Sequence, residues 1–114
     1  MVVDDSADNQ QLIWHYLNRH GAVIDTADNG IIGVQKALDG GYDIVLMDIQ
    51  MPEMDGYAAT SKLRASGYLK PIVALTAHAM REVRDKVLSV GATAHLTKPI
   101  NPKDLIAKIS EHVH

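Results

Sequence analysis

The chain contains no cysteine. That removes disulfides, thiol nucleophiles and cysteine-ligated metals together. It also fits a reducing compartment, so a cytoplasmic location is expected. Phenylalanine is absent and tryptophan occurs once, which leaves aliphatic side chains to fill a core. Positive charge is not in excess: the formal net charge is -3. Nucleic-acid binding and contact with a membrane surface both rest on basic patches, so neither is expected. No apolar run approaches the ~20 residues of a membrane span, and no signal peptide opens the chain. Internal repeats, low-complexity tracts and linkers are missing as well.

What is present is ordinary globular material: 114 residues, 46% hydrophobic and 22% charged. A chain of this length makes one domain that buries roughly two-thirds of its unfolded surface. Met1-Val2-Val3 already reads as strand. We therefore expect a single domain over residues 1–114, its first strand truncated, taken from a longer protein and carrying no output domain of its own.

The centre of the pattern is Asp43-Ile44-Val45-Leu46-Met47-Asp48. Four consecutive apolar residues predict a strand buried on both faces. Asp48 ends the run, and Pro52 and Gly56 break any regular continuation. Before it come a strand over Met1–Val3 and a helix from about Asp8 to His20, closed by Gly21, with Leu12, Ile13, Tyr16 and Leu17 on its apolar face. A second strand spans Ala22–Ala27. A second helix opens at Asn29-Gly30, turns Ile31, Val34, Ala37 and Leu38 inward, and closes at Gly40-Gly41. After the central strand, Asp55 is placed to cap a helix over about Gly56–Ala65. Then come a strand Ile72–Leu75 ending in Thr76, and a helix over roughly Ala79–Val90 with Met80, Val83, Val87 and Leu88 inward. A short strand Ala94–Thr97 stops at Lys98-Pro99. The last helix carries Pro102 in its first turn and buries Leu105, Ile106, Ile109 and Val113. Strand and helix patterns alternate five times, which predicts an α/β fold: a doubly wound, five-stranded parallel sheet covered on both faces by five helices.

In such a sheet the carboxyl ends of the strands share one edge, where ligands bind. Asp4, Asp5, Asp48, Thr76 and Lys98 all fall there. Each alone has an ordinary reading as a turn residue, a cap or a solvated charge. Together they make a chemistry. Three carboxylates about 5 Å apart repel by roughly 3 kcal/mol per pair at an effective dielectric near 20. Such a set calls for a bound cation, and hard oxygen ligands with open positions suit Mg²⁺. A carboxylate held there can attack phosphorus to give an acyl phosphate, with Lys98 and the Thr76 hydroxyl neutralising the phosphoryl oxygens.

The chain resembles the receiver domain of two-component response regulators over nearly its whole length. The pieces that carry the resemblance are Val3-Asp4-Asp5, Met47-Asp48-Ile49-Gln50-Met51-Pro52 with Met54-Asp55-Gly56, Ala74-Leu75-Thr76-Ala77, and Leu96-Thr97-Lys98-Pro99-Ile100. Asp48-Ile49-Gln50-Met51-Pro52 and Ala77-His78-Ala79-Met80 bring it nearest to receivers of hybrid sensor histidine kinases. The resemblance implies the flavodoxin-like strand order 2-1-3-4-5 and a phosphoryl group accepted on Asp48. It implies Mg²⁺ held by Asp4, Asp5, Asp48 and the Gln50 carbonyl, Asp5 being the more direct ligand. Thr76 and Lys98 would contact the phosphoryl group, and the Lys98–Pro99 peptide would be cis. The implied partner is a sensor histidine kinase or a histidine phosphotransfer domain. It would meet the first helix, with Gln10 and Trp14 exposed, and the loop beyond Lys98. Oligomeric state stays open. One departure stands out: three residues before Lys98 the family carries Tyr or Phe as a rotameric switch, and this chain has His95.

Three other readings compete. A flavin- or nucleotide-binding module needs a loop of backbone N–H donors after the first strand, and Asp4-Asp5 would repel a phosphate there. An aspartate-nucleophile phosphohydrolase looks for an acid two residues after the nucleophile, where Gln50 stands. A degenerate receiver that only binds partners would lack part of the set of five. Of the six histidines, His15 and His20 are not stacked on a helix face and His112 and His114 lie near the terminus, so solvation is expected for all four.

Overall fold

The computed structural model describes residues 1–19, 24–50, 55–77 and 80–112. Five strands alternate with five helices: β1 (Val2–Val3), α1 (Ala7–Asn18), β2 (Thr26–Ala27), α2 (Gly30–Asp39), β3 (Val45–Asp48), α3 (Gly56–Ala65), β4 (Ile72–Thr76), α4 (Arg81–Ser89), β5 (Ala94–Thr97) and α5 (Pro102–His112). All pairs are parallel and the order is β2-β1-β3-β4-β5, as expected. Val2 and Val3 stand opposite Leu46 and Met47 of β3, and Asp48 stands opposite Leu75 of β4.

Alternation along the strands splits the core in two. Val3, Val45, Met47 and Ile72 face α2 and α3, packing on Val34, Ala37, Ala59 and Leu63. Val2, Leu46, Val73, Leu75 and Leu96 face α1 and α5, packing on Ile13, Leu17 and Leu105. A smaller cluster of Ile49, Ala74, Val87 and Ala92 holds α4. No helix among the described residues is long and apolar enough to cross a membrane.

Element bounds follow the local caps. Asn29 accepts from the Ile32 N–H at 2.9 Å, and Asp55 accepts from the Ala58 N–H at 2.8 Å. The first helix starts earlier than Asp8, because Ser6 caps it by accepting from the Asn9 N–H at 3.3 Å. It ends at Asn18 with Arg19 as its C-cap, short of His20; Gly21 lies outside the described residues. Of the strand expected over Ala22–Ala27, the described residues show Thr26–Ala27, paired with Val2 and Val3 of β1. Ala22 and Val23 lie outside the described residues, as do Pro52, Ala79 and Val113. The fourth helix is Arg81–Ser89, with Met80 at its N-cap position.

Several side chains expected inward point out. Leu12, Ile31, Leu38, Met80 and Leu88 are all exposed. In α2 the buried stripe is Gly30, Gly33, Val34 and Ala37, mostly small residues. A Cβ on Gly33 would lie 2.8 Å from the Val3 methyls. The helix therefore packs directly on β1, and the larger Ile31 and Leu38 flank that contact. In α4 only Val87 is fully buried, as only Leu105 is in α5.

Candidate functional site

The parallel strands end along one edge, and β1 and β3 bring their acids there. Asp4 and Asp48 are buried, at 0% and 2% exposure, while Asp5 is open to solvent. One carboxylate oxygen from each lies within 4.8 Å of the others. Among the described residues this is the one group of three or more potential metal ligands; His15 and His112 belong to none.

β5 runs into Lys98, whose Nζ lies 3.1 Å from Asp48 Oδ1 and 3.4 Å from Asp4 Oδ2. The Lys98 backbone N–H donates to the Thr76 carbonyl at 2.7 Å, so the end of β4 fixes where the lysine leaves the sheet. Thr76 itself is buried at the end of β4. The Lys98–Pro99 peptide is cis. Asp4 Oδ1 accepts from the Ser6 N–H at 2.9 Å, which turns the chain into α1. Asp48 Oδ1 accepts from the Gln50 N–H at 3.2 Å. Burial raises the Asp48 carboxyl above the usual carboxylate range and Asp4 pushes it further, against the opposing pull of Lys98 and the Gln50 N–H. A buried anion beside a second acid is held in place by one ammonium, an arrangement that favours any further positive charge.

The chain is similar throughout to proteins of two-component signalling. Residues 1–110 match the response regulator receiver domain. It belongs to the receiver family. All of the receiver aligns at 37% identity with hybrid signal transduction histidine kinase B of Dictyostelium discoideum, covering 6% of that protein. Over 92% of its length it is 39% identical to the sensor protein GacS of Pseudomonas syringae pv. syringae, covering 12% of that protein. The receiver thus spans a small part of these curated relatives. The receiver domain of a Pseudomonas aeruginosa sensor histidine kinase, solved with a magnesium ion coordinated in its active site cleft, superimposes with a TM-score of 0.89 at 34% identity. That match covers 97% of this chain and 93% of the other.

Of the residues singled out in the sequence, Asp4, Asp5, Asp48 and Lys98 converge, Thr76 ends the adjacent strand, and Gln50 touches Asp48 through its backbone N–H. Met51 and Met54 lie outside the described residues, as does His78. Gln10 corrects an expectation. It is half-buried rather than exposed, and its Nε2 donates to the Asp4 carbonyl at 2.6 Å, the Ala27 carbonyl at 3.3 Å and Asp28 Oδ1 at 3.0 Å. It ties the loops after β1 and β2 together. Gly56 also has a role beyond opening a helix. Its N–H donates to the Ile49 carbonyl at 3.0 Å, and the chain folds back so closely on Asp48 that no side chain fits. Asp55-Gly56 beside an acid-ended strand was the available signal.

Proposed function

We propose that this receiver takes a phosphoryl group from a phosphohistidine donor onto Asp48 in a Mg²⁺-dependent reaction, and that phosphorylation changes its partner binding in a two-component phosphorelay. The observation that carries the proposal is Lys98 Nζ at 3.1 Å from Asp48 Oδ1, within a cluster of three acids. In the transfer, a carboxylate oxygen of Asp48 forms a bond to phosphorus. The P–N bond of the donor breaks, and the imidazole leaves with its electron pair. Lys98 already lies between Asp4 and Asp48, so charge moving onto the phosphoryl oxygens meets a preplaced cation. The Thr76 hydroxyl is assigned to the same oxygens.

The acids fit Mg²⁺: they are hard oxygen donors within 4.8 Å of one another, and Asp5 faces solvent. Asp4 Oδ1 is taken by the Ser6 N–H, which favours Asp5 as the more direct ligand; Asp48 and the Gln50 carbonyl would complete the protein's share. When bound, Mg²⁺ supplies charge against these acids and the incoming phosphoryl group.

A slot of about 70 Å³ lined by Asn9, Leu12, Ile13, Pro99 and Ile100 shares Asp4 and Lys98 with this site. Leu12 on its lining is exposed, and so is Trp14, which shares a second groove on α1 with Asp8, Gln11, Leu12 and His15. A histidine kinase or histidine phosphotransfer domain seated there would bring its imidazole to Asp48.

Intact-mass measurement after acetyl phosphate treatment tests the proposal. The receiver gains one phosphoryl group when Mg²⁺ is present, and Asp48→Asn gains none. A receiver that stays unlabelled with Mg²⁺ is a degenerate one, and labelling that survives Asp48→Asn places the acceptor elsewhere.

A further inference from the structure

At the sheet edge away from Asp48, a groove of about 390 Å³ lies between the end of α2 and the turn joining α3 to β4. Its lining includes Ala37, Leu38, Gly40, Tyr42, Tyr68 and Leu69. We propose that this patch is a self-association surface, in which Leu69 of each of two copies enters the groove of the other.

Leu69 is 91% exposed, and Leu38 is 45% exposed. A solitary apolar side chain on a loose loop carries little information. Leu69 is different because its flanks are clamped. Arg64 Nη1 donates to the Tyr68 carbonyl at 2.7 Å and to the Lys70 carbonyl at 2.8 Å, one on each side of the leucine. Gly67, at φ +87°, closes the end of α3, with its N–H donating to the Arg64 carbonyl at 3.1 Å. The opposite wall is fixed as well. The Tyr42 hydroxyl is hydrogen-bonded to Asp25, and its ring covers Gly40, where a Cβ would lie 2.5 Å from a ring carbon. A side chain on a clamped backbone beside a fixed wall loses less conformational freedom on binding than one on a loose loop.

The choice of a second copy rests on complementarity within the patch. Leu69 and the rest of the groove lie side by side, the arrangement a twofold axis requires. Charge agrees with it. Asp39 lies between Leu38 and Gly40 in the chain, Asp43 follows Tyr42, Lys70 lines the groove next to Leu69, and all three are exposed. In the twofold pairing, Lys70 of one copy faces the acids of the other. The patch is small, so the dimer belongs to the weak class below ~1,200 Å².

Sedimentation equilibrium of the isolated chain between about 20 μM and about 1 mM tests this. The mass should rise towards that of a dimer, with Leu69→Asp weakening association at least tenfold. The Leu69→Asp amide spectrum should keep its dispersion, since the side chain is exposed. A second experiment reads the charges. Lys70→Glu alone and Asp39→Lys with Asp43→Lys alone should each self-associate less than the parent, while a mixture of the two should recover association. A chain that stays monomeric at about 1 mM, a dimer indifferent to Leu69→Asp, or a mixture that fails to associate overturns the proposal.

Discussion

A methyl group on Gly56 would sit 2.2 Å from the carbonyl oxygen of Asp48 and 2.7 Å from the Ile49 Cα. Both neighbours are backbone, so neither can swing aside. Gly56→Ala should therefore shift the loop after β3 and destabilise the fold by about 1–3 kcal/mol, as overpacking does. At this chain length that lowers the melting temperature by roughly 4 °C per kcal/mol. Thermal unfolding checks it, and an unchanged melting temperature would mean the close approach is not maintained in solution.

The acid cluster makes the second prediction. Asp48 is buried beside Asp4, and its carboxyl is raised despite Lys98. Removing that charge while keeping the side-chain shape should relieve more repulsion than it loses attraction. Asp48→Asn should stabilise the metal-free protein by about 1–2 kcal/mol, less than the bare Coulomb estimate because Lys98 offsets part of it. Mg²⁺ at about ten times its Kd should stabilise the parent by about 1.4 kcal/mol through binding to the folded state, and the variant by less. Melting curves in chelator and in Mg²⁺ would check both signs, and an unchanged or lowered metal-free melting temperature for Asp48→Asn would contradict the first.

These acids were legible because a parallel sheet gathers its strand ends whatever the helices do. Val45–Asp48 and Ile72–Thr76 announced themselves as apolar runs with polar ends, and Asp55 as a cap acting over three residues. Other features were hidden because they depend on distant partners. The stripe Gly30, Gly33, Val34 and Ala37 buries little apolar area, so the larger Ile31 and Leu38 drew the helix face the wrong way. Gln10 looked like any polar residue on a helix until Ala27 and Asp28 came beside it. The convergence of Asp4, Asp5, Asp48 and Lys98 follows from topology, whereas Asp55-Gly56 after an acid-ended strand marks a turn without showing how tightly Gly56 seats against Asp48.

Arg64 is the plainest hidden case, and it gives the third prediction. Its guanidinium donates to the carbonyls of Gly91 at 2.8 Å, Tyr68 at 2.7 Å and Lys70 at 2.8 Å, and to Thr93 Oγ1 at 3.2 Å. It joins the ends of α3 and α4 across the base of the sheet. Arg64→Gln should cost about 2–3 kcal/mol, since each lost bond to a charged donor is worth ~1.5 kcal/mol or more and water replaces some of them. Arg64→Lys should recover only part of the loss, because an ammonium cannot reproduce the planar fork. Denaturant unfolding of both variants separates geometry from charge; equal stability of Lys and Arg at this position would make the contact a simple charge effect.

The fourth prediction separates partner docking from chemistry. Leu12 and Trp14 are exposed at 43% and 45%, so changing them should leave the fold and the acid cluster intact. Replacing both by Ala should slow phosphoryl transfer from a histidine-containing donor protein by about tenfold or more, the effect of losing an apolar anchor worth ~1.4 kcal/mol. Labelling by acetyl phosphate should be unchanged. Equal losses with both donors would point to a disturbed site, and no loss with either would move the docking surface elsewhere.

The last prediction concerns His95, which stands three residues before Lys98 on β5. It is half-buried on a groove shared with Thr97, Asn101, Asp104, Lys108 and Glu111, with Arg84 facing it from α4. Burial lowers its pKa, and Arg84 and Lys108 lower it further. Asp104 and Glu111 on the same groove are the charges that would pull the other way. A depressed value means the folded state resists protonation. Stability is therefore unaffected above the ~6.5 reference value, starts to fall as pH drops through it, and stops falling below the folded pKa. Phosphorylation adds opposing effects. One further negative charge at ~8 Å and an effective dielectric near 40 favours imidazolium by ~1 kcal/mol. A deeper inward turn of the ring would cost the charged form more, since burial can lower a histidine by several units at ~1.4 kcal/mol each. Burial should win, so the His95 pKa should fall when a beryllofluoride phosphoryl mimic is bound, and Lys108→Gln should raise it in both states. An NMR titration of the imidazole reads all of these values. A pKa that rises or stays fixed on activation would make His95 a surface residue with no part in switching.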